Sequence, residues 1–416
     1  MNQGKIFPIH TKTACQLKWT WTTLFLHSGI TRSCHRAAES KLSLEEFDNF
    51  HNTPRKIHDR ETMLQGEWPG GGCEYCHKIE LAGGSSDRML HNAIPNLVPR
   101  ELETDLTATH VTPRLLEIYL NNTCNLSCLY CHGELSSRIN FENNKFNFQL
   151  GDVDLNKFTS FQIVDNIEKT QPAYIKKFWQ WMEKNYKELK RIHVLGGEPF
   201  YQREFEDFYT FFENHPHPQL EFNVVSNLSI DQNKLQNYIE RFKLLIAKKK
   251  IRKLEITCSI DCWGPEQEYV RSGLNLENWE ENFNYLLDQP WLSININQTI
   301  TPLTIKTMPD LLVKLKEWKK KKTVSQFFSG ATPGPDYMKP FIFGGDEFRE
   351  DFDKIFALMN DNTTQEKEAK KYMQGIWAEI EVAPRDEKEI NNLKFFLNEI
   401  DRRRNTNWKE LFPWIR

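Results

Sequence analysis

The sequence predicts an α/β protein whose core is a partial (β/α)6 TIM-like barrel, an open sheet of six strands with helical crossovers. From Leu115 to about Gly345, short apolar runs alternate with amphipathic segments of period near 3.6, which is the pattern of repeated βα units. The chain has 416 residues, enough for two or three domains. Seven of its nine cysteines fall in two groups, one before this pattern and one just after its first strand.

The six strands and the helices between them follow from these periods. The predicted strands are Leu115–Leu120, Arg191–Leu195, Leu220–Val225, Leu254–Ile260, Leu292–Thr299 and Val324–Phe328. The predicted helices are Ala173–Tyr186, Tyr201–Asn214, Gln232–Ala247, Trp279–Leu287 and Met308–Trp318. In parallel sheets of this kind the chemistry lies at the C-terminal ends of the strands.

Composition changes along the chain divide it into four predicted regions. They are a small cysteine-containing N-terminal domain (1–100), a linker (101–114), the core (115–345) and a helical C-terminal extension (346–416). In the first region we expect a half-buried strand at Lys18–Trp21 and a helix only at Leu44–Phe50. The charged C-terminal helices are predicted to be a solvated cap.

Charge and hydrophobicity exclude two classes of partner. Lys and Arg number 54 against 57 Asp and Glu, a net charge of −3, and the basic residues form no long block. This argues against a protein that binds nucleic-acid backbone. No run approaches the roughly 18 apolar residues of a bilayer span, and residues 1–19 lack the apolar core of a signal peptide. We expect a cytoplasmic protein without a membrane or nucleic-acid partner.

Cys124, Cys128 and Cys131 supply three thiolates within eight residues, so that one tight loop can direct them at a single metal centre. Three ligands are one too few for a structural zinc or a fully ligated [4Fe-4S] cluster. The site therefore either uses a fourth side chain such as His132 or leaves one metal position open. An odd number of cysteines in a long cytosolic chain also argues against a disulfide framework.

The C-x3-C-x2-C spacing at the end of a first strand, with the aromatic Tyr130 before the third cysteine, resembles the signature of the radical S-adenosylmethionine (radical SAM) enzymes. The segment Gly196-Gly197-Glu198-Pro199 follows the second predicted strand and resembles the GGEP motif of that family, which receives the methionine ammonium. Glycines allow close approach of the backbone, and a carboxylate pairs with a cation. The alternative for a lone GGEP is a tight βα turn.

Two further segments resemble family motifs at successive strand ends. Ser226 and Asn227 resemble the polar pair that contacts the ribose and carboxylate of the cofactor. Ser259, in Ser-Ile-Asp, and Arg271 resemble the motif of the fourth strand and its carboxylate-binding arginine. Each alone is more commonly a loop residue satisfied by solvent. The resemblance covers about residues 113 to 330.

The resemblance implies a fold and a reaction. It implies that a [4Fe-4S] cluster on the three cysteines binds S-adenosylmethionine, and that reduction yields a 5′-deoxyadenosyl radical that abstracts hydrogen from a substrate. The substrate class implied is a peptide or protein side chain, with a small-molecule metabolite as the alternative. A reducing electron donor such as flavodoxin or ferredoxin is the other implied partner.

Cys15, Cys34, Cys73 and Cys76 are four potential ligands before the core, enough for one zinc or one [4Fe-4S] cluster. The stretch from Gly72 to Asn92 resembles the region before the core in radical SAM proteins with an N-terminal twitch domain. In better-known members a twitch or SPASM extension follows the barrel, so the order here is reversed. The resemblance implies an auxiliary [4Fe-4S] cluster; structural zinc and unligated thiols remain alternatives.

Two cysteines remain outside these groups. Strand alternation predicts Cys258 as a small core residue. Cys262, at the end of the same strand, is a candidate catalytic hydrogen donor or cluster neighbour, and is otherwise inert. His35 and His132 are expected to be exposed or to support ligands by hydrogen bonding. The opposing interpretation of the whole chain is a non-enzymatic zinc protein, and a third is a barrel that binds S-adenosylmethionine without substrate chemistry.

Overall fold

The structure is a computed structural model, and it describes residues 5–81, 83–84, 86–164, 167–329 and 335–416. A large sheet of nine strands dominates it, in the order β11-β10-β8-β7-β6-β4-β1-β2-β3. The strands are β1 (Trp21–Phe25), β2 (Ile30–Arg32), β3 (Ser40–Lys41), β4 (Leu115–Tyr119), β5 (Ser127–Cys128), β6 (Arg191–Leu195), β7 (Glu221–Ser226), β8 (Lys253–Ser259), β9 (Arg271–Ser272), β10 (Ser293–Thr299) and β11 (Val324–Ser329). The short strands β5 and β9 form a separate pair.

Sixteen α-helices connect and flank the strands in the described residues. They are α1 (Gln16–Thr20), α2 (Pro54–Leu64), α3 (Glu74–Leu81), α4 (Asp87–Asn92), α5 (Ser137–Phe146), α6 (Ile167–Asn185), α7 (Phe205–Asn214), α8 (Gln232–Ala247), α9 (Pro265–Val270), α10 (Leu276–Leu287), α11 (Pro302–Ile305), α12 (Met308–Lys321), α13 (Gly345–Leu358), α14 (Thr364–Val382), α15 (Glu387–Arg404) and α16 (Trp408–Leu411). No described helix is long and apolar enough to cross a bilayer.

All six predicted core strands are present, and each boundary lies within two residues of its prediction. Their parallel pairing from β4 to β11 confirms an α/β fold with a large parallel sheet. One face of the sheet is apolar and buried: Phe222 of β7, for example, packs against Phe208 of α7 and Phe242 of α8. The opposite face carries polar side chains that include Glu117, Asn223 and Glu255. The strands therefore position the residues at their C-terminal ends against a rigid core.

The sheet crosses the predicted boundary at residue 100. Strand β1 pairs in parallel with β4, and the β2–β3 hairpin extends the sheet beyond it. The predicted linker is also partly ordered, because Leu102 and Val111 are buried and Glu101 accepts hydrogen bonds from Thr112. The division into four domains stays a prediction. Residues 1–4, 82 and 85 of the predicted N-terminal domain and residues 165–166 and 330–334 of the predicted core lie outside the described residues.

The secondary-structure predictions for the N-terminal region are wrong in detail. Residues 18–20, predicted as a strand, belong to helix α1, and the strand begins at Trp21. Leu44–Phe50 holds only a 3₁₀ turn at Phe47–Asn49, whereas α2, α3 and α4 were missed. The whole of α1 is buried, so tertiary contacts override the local β preference of its Trp and Thr residues.

The C-terminal helices are confirmed as helices but are more than a solvated cap. Helix α15 buries six side chains along one face: Ile390, Leu393, Phe396, Leu397, Ile400 and Arg403. Its apolar members belong to the same core as the sheet. The prediction of a solvated cap followed the high overall charge of α15, but its buried apolar residues lie on one side of the helix and most of its charged residues on the other.

Candidate functional site at the C-terminal ends of the strands

The loop with Cys124, Cys128 and Cys131 begins five residues after β4 ends. Its middle is fixed by the β5–β9 pair, in which Cys128 lies opposite Arg271, and by a hydrogen bond from the Leu129 N–H to the Val270 carbonyl (2.9 Å). The cysteine loop is thereby attached to the segment that follows β8. Residues far apart in sequence thus meet at one edge of the sheet, as the sequence predicts.

The three thiols are half-buried and close enough to influence one another. Burial raises the pKa of each thiol, that of Cys131 to about 12, and Cys128 adds to the effect on Cys124 and Cys131. The Leu126 N–H (3.4 Å) and the Asn227 side-chain amide (3.8 Å) both donate to the Cys124 sulfur. Without a metal the sulfurs are therefore neutral thiols, and a cation that binds them has to displace protons.

The turn Gly196–Glu198 is held against the cysteine loop. The Glu198 N–H donates to the Thr123 carbonyl (2.8 Å), one residue before Cys124. Both glycines have positive φ, +81° and +59°, and a Cβ on Gly197 would lie 2.4 Å from the same Thr123 carbonyl oxygen. This contact requires glycine at Gly197, since any side chain would push the two loops apart.

Glu198 is a buried carboxylate that forms no ion pair among the described residues, although the charge of Arg271 lowers its pKa. It is 1% exposed and accepts hydrogen bonds from Ser226 Oγ (2.8 Å) and from the Asn227 N–H (2.7 Å). Burial raises its pKa to about 7, against the lowering effect of these donors. Pro199 follows it at the start of a 3₁₀ turn, Pro199–Tyr201. A buried carboxylate of this kind favours a cation placed beside it.

Ser226 and Asn227 lie at the end of β7 beside this turn, where they form hydrogen bonds within the protein, and their contact with a cofactor stays a prediction. The Ser226 hydroxyl also accepts from the Leu228 N–H (2.9 Å), and the Asn227 amide donates to Asn125 Oδ1 (3.0 Å). Leu228 has a positive φ of 56°. These two residues tie the end of β7 to both Glu198 and the cysteine loop.

Asp261 is the residue that sequence reasoning undervalued. It is fully buried and pairs with Arg271 through two hydrogen bonds of 2.8 Å, from Nε to Oδ2 and from Nη2 to Oδ1. It also accepts from the Tyr130 hydroxyl (2.7 Å) and from the Thr299 N–H (2.8 Å). The signal was present, because Asp261 closes the Ser-Ile-Asp segment. Tyr130 and Arg271, predicted to contact cofactor, are therefore both oriented by one carboxylate.

Ser259 and the two remaining cysteines lie at the end of β8. Ser259 pairs with Asn297 in the sheet. Cys258 is fully buried within the main core, which confirms the interpretation of it as a core residue. Cys262 is also fully buried, and its thiol donates to Gln267 Oε1 (3.5 Å). Its catalytic role stays a prediction, and burial raises the pKa of its thiol.

The four N-terminal cysteines line one cavity, together with Lys18, Arg36, Asp87 and Arg88 among others. Cys15 precedes α1, Cys34 follows β2, and Cys73 and Cys76 lie at the start of α3. Burial raises the pKa of the Cys15 thiol to about 12 and that of Cys73 to about 11, and Cys34 adds to both effects. Cys15 and Cys73, which are 58 positions apart in sequence, therefore line the same cavity. The four cysteine sulfurs around it are the donor set of a tetrathiolate metal centre.

The two cysteine groups lie at opposite edges of the sheet. Cys124 follows the C-terminal end of β4, whereas Cys15 precedes the N-terminal end of β1, which runs parallel to β4. Cys34 is at that same N-terminal edge because β2 is antiparallel to β1. A strand of five residues spans about 17 Å. The groups are therefore two separate sites rather than one.

Neither group is already arranged as a coordination sphere: among the described residues, no three His, Cys, Asp or Glu side chains form a group that could hold a metal ion. The histidines beside the cysteines occupy supporting positions. His35 Nε2 lies 3.5 Å from Asp87 Oδ2, and His132 is half-buried with a lowered pKa caused by burial. The ligand sets at both edges stay predictions.

Comparison with known proteins adds structural likenesses at low identity. No family model matches the chain, and no curated protein matches it. Streptococcus suis SuiB is 15% identical over 80% of this chain and 66% of that one, with a TM-score of 0.38. The protein anSMEcpe with bound AdoMet is 14% identical over 58% of this chain and 57% of that one (TM-score 0.32).

A third likeness is TYW1 with a lysine-pyruvate adduct bound, 16% identical over 59% of this chain and 72% of that one, with a TM-score of 0.29. The chain thus spans less than two thirds of anSMEcpe. At these identities and TM-scores the likenesses assign neither a family nor an activity to this chain.

Proposed function

We propose that the chain is a radical SAM enzyme with its active site at the C-terminal edge of the parallel sheet. Cys124, Cys128 and Cys131 would hold a [4Fe-4S] cluster that leaves one iron open. The observation that carries this proposal is the attachment of Glu198 to the cysteine loop. This buried carboxylate forms no ion pair among the described residues, and its N–H donates to the carbonyl of Thr123, the residue before Cys124.

When bound, the cluster and S-adenosylmethionine supply reductive cleavage to methionine and a 5′-deoxyadenosyl radical that abstracts a hydrogen atom from substrate. Glu198 offers the methionine ammonium a charge partner, and Ser226 and Asn227 keep that carboxylate oriented through their two hydrogen bonds. Pairing with a cation returns the pKa of Glu198 toward its ordinary value, so that binding of the ammonium and ionisation of the carboxyl favour each other.

In this proposal Arg271 is a carboxylate-binding arginine whose guanidinium is held in one orientation by the protein. Asp261 holds two of its guanidinium nitrogens, and its backbone lies opposite Cys128. The guanidinium is thereby fixed beside the cysteine loop with its orientation set before cofactor binds. Tyr130 is fixed by the same carboxylate. Water is excluded from this pair, since Asp261 and Arg271 are both buried.

The substrate is proposed to bind against the polar face of the sheet, which would form the inside of a partial barrel. Glu117, His193, Asn223 and Glu255 are paired neighbours on this face, and the apolar residues that alternate with them along the strands lie on the opposite face. Their hydrogen-bonding groups suit a substrate with polar atoms, such as a peptide or protein side chain. The alternative substrate is a small polar metabolite that is oxidised by two electrons, which could form hydrogen bonds with the same side chains.

A second, auxiliary [4Fe-4S] cluster is proposed at the four N-terminal cysteines. They share one cavity, and a lysine and two arginines line it with them. Zinc is the alternative occupant, because four thiolates saturate either centre. Colour discriminates the two: brown protein after anaerobic purification supports iron-sulfur, and colourless protein that carries zinc supports the opposing non-enzymatic interpretation.

The test is anaerobic reconstitution followed by reduction with S-adenosylmethionine present. We expect about eight iron per chain and formation of 5′-deoxyadenosine. Replacing Cys124, Cys128 and Cys131 by Ala should lower the iron content to about four per chain and abolish cleavage. Cys258→Ala, which removes a core thiol outside both groups, is the matched control and should still cleave. Cleavage that persists in the triple variant would contradict the proposed active site.

A further inference from the structure

Buried charge around the N-terminal cysteines is out of balance. In the described part of residues 1–114, the buried charged side chains are Lys18, Lys56, Arg60 and Asp59. Counted at their ordinary charges, three buried basic side chains thus face one buried carboxylate, a formal excess of two positive charges. Elsewhere in the described residues, the buried residues Asp261, Arg271, Asp351 and Arg403 have oppositely charged partners, and Glu198 is a buried carboxylate without an ion pair. An excess of buried positive charge is therefore a feature of this region, and burial of unpaired charge is unfavourable.

Lys18 is the cation nearest the cysteines. Its ammonium lies 2.6 Å from Asp59 Oδ2, with 2% and 5% of the two side chains exposed. It lines the same cavity as the four cysteines. Asp59 is itself shared with Arg55, whose Nε lies 3.0 Å from Oδ1. The carboxylate therefore holds Lys18 in position without cancelling the local positive charge.

Among the described residues, Lys56 and Arg60 have only neutral hydrogen-bond acceptors. The Lys56 ammonium donates to Thr31 Oγ1 and the Phe50 carbonyl, both at 2.7 Å. The Arg60 guanidinium donates to the carbonyls of Lys18 (2.8 Å) and His51 (2.7 Å), among other oxygens. Burial, followed by the neighbouring Arg60 and Lys18, lowers the pKa of Lys56, while Cys34 raises it. The region is thus built for an anion close to Cys34 and Cys73.

A tetrathiolate centre supplies that anion. Four thiolates around Zn²⁺, or around an oxidised [4Fe-4S] core of charge +2, leave a net charge of −2, which matches the excess of the buried cations. Neutral thiols carry no charge and do not supply it. Lys18, which lines the cavity with the four cysteines, and the buried Lys56 and Arg60 therefore complement the charge of a metal-bound site.

We propose that Lys18, held by Asp59, is a positioning residue of the second metal centre, where it donates to the Cys73 sulfur and, with Lys56 and Arg60, raises the reduction potential of an auxiliary [4Fe-4S] cluster. A hydrogen bond to a ligating sulfur and nearby positive charge both stabilise the reduced, more negative state. This inference rests on the proposed auxiliary cluster, and it is independent of whether the Cys124 loop cleaves S-adenosylmethionine.

The experiment uses the full-length chain with Cys124, Cys128 and Cys131 replaced by Ala, so that only the second centre is observed. Iron content and the midpoint potential, from an anaerobic redox titration followed by EPR and visible absorbance, are measured in four further variants. Lys18→Met is expected to shift the potential downward and Asp59→Asn upward, with iron content unchanged. Lys18→Arg should restore most of the original potential. Lys319→Met is the control. It removes a lysine on α12 that pairs with Glu366 (2.9 Å), near the β11 edge of the sheet, and should leave the midpoint potential unchanged.

Lys18→Met removes one side of the Lys18–Asp59 ion pair and therefore risks unfolding the chain. Lys56→Met provides a second test, because Lys56 has no ion pair in the described part of the chain. It should shift the potential in the same direction as Lys18→Met. An unchanged potential in both Lys18→Met and Lys56→Met overturns the inference. So does a protein that binds zinc or no metal at these cysteines. Cleavage of S-adenosylmethionine by the unmodified chain is measured in parallel, and its failure would overturn the proposed function instead.

Discussion

The two cysteine groups differ in the sign of the charge that the protein leaves unbalanced around them. At the C-terminal edge of the sheet, Glu198 is a buried carboxylate with no ion pair among the described residues, while Asp261 and Arg271 balance each other. At the opposite edge, Lys18, Lys56 and Arg60 outnumber Asp59. The first arrangement favours a cationic ligand beside the metal site, and the second favours an anionic metal centre itself. Cysteine groups of similar composition are therefore placed in two different electrostatic environments.

The buried pair Asp261–Arg271 gives the largest effect expected. Arg271→Met should lower the free energy of unfolding by about 3–5 kcal/mol, because Asp261 is left buried and unpaired. Urea denaturation of the metal-free chain measures it. Adding Asp261→Leu should recover part of the loss, since no unpaired charge then remains. A single variant as stable as the original chain would show that this pair does not fix the cysteine loop.

The pH dependence of stability tests the unpaired state of Glu198. Its pKa is raised to about 7 by burial, so its stabilising contribution is complete below its ordinary value of 4.5 and is lost as pH rises toward 7. Relative to Glu198→Gln, the metal-free chain should lose up to about 3 kcal/mol of unfolding free energy across that window. Denaturation at pH 4.5, 6 and 7.5 measures the difference. If the difference in unfolding free energy between the two proteins does not change with pH, the pKa of Glu198 is not raised, and its charge is compensated in the folded chain.

Affinity for S-adenosylmethionine tests the same carboxylate with its proposed cation. Glu198→Gln should weaken binding to the reconstituted protein by about tenfold to a hundredfold, because a charge-assisted hydrogen bond to the ammonium is replaced by a neutral one. Anaerobic equilibrium dialysis with labelled cofactor gives the dissociation constant. Glu206→Gln, which alters a partly exposed carboxylate paired with Arg241, is the control and should bind normally.

Contact between the glycine turn and the cysteine loop gives the smallest effect. Gly197→Ala should cost about 1–2 kcal/mol of stability more than Gly66→Ala. Both glycines have positive φ, +59° and +79°, but only at Gly197 would a Cβ meet backbone, at 2.4 Å from the Thr123 oxygen. The comparison therefore separates collision from conformational strain. Equal losses in thermal denaturation would show that the two loops are not in close contact.

Sequence periodicity was sufficient for the core but not for the N-terminal region. Strands such as β6 and helices such as α8 match their predictions residue for residue, because one face of each is continuously apolar. Helix α2 was missed although Thr53 and Pro54 form an ordinary N-terminal cap. The joining of β1 to β4 was not predictable, since both are short strands separated by 89 residues of chain.

The candidate site shows the same division. Motifs at strand ends located Cys124, Glu198, Asn227 and Arg271, because parallel strands bring their C-terminal ends to one edge. The partners of these residues depend on tertiary contacts, and the pairing of Asp261 with Arg271 has no sequence signal beyond their presence. The burial of Lys18 is similar: a lysine in a short polar-looking segment gives no indication that it will be 2% exposed.

EPR of the reduced protein tests the central claim most directly, namely that only the Cys124 loop leaves a metal position open for S-adenosylmethionine. Two variants of the full chain are compared: one with Cys15, Cys34, Cys73 and Cys76 replaced by Ala, and one with Cys124, Cys128 and Cys131 replaced by Ala. We predict that S-adenosylmethionine changes the cluster signal of the first variant and leaves that of the second unchanged. A response in the second variant, or none in the first, would contradict the account.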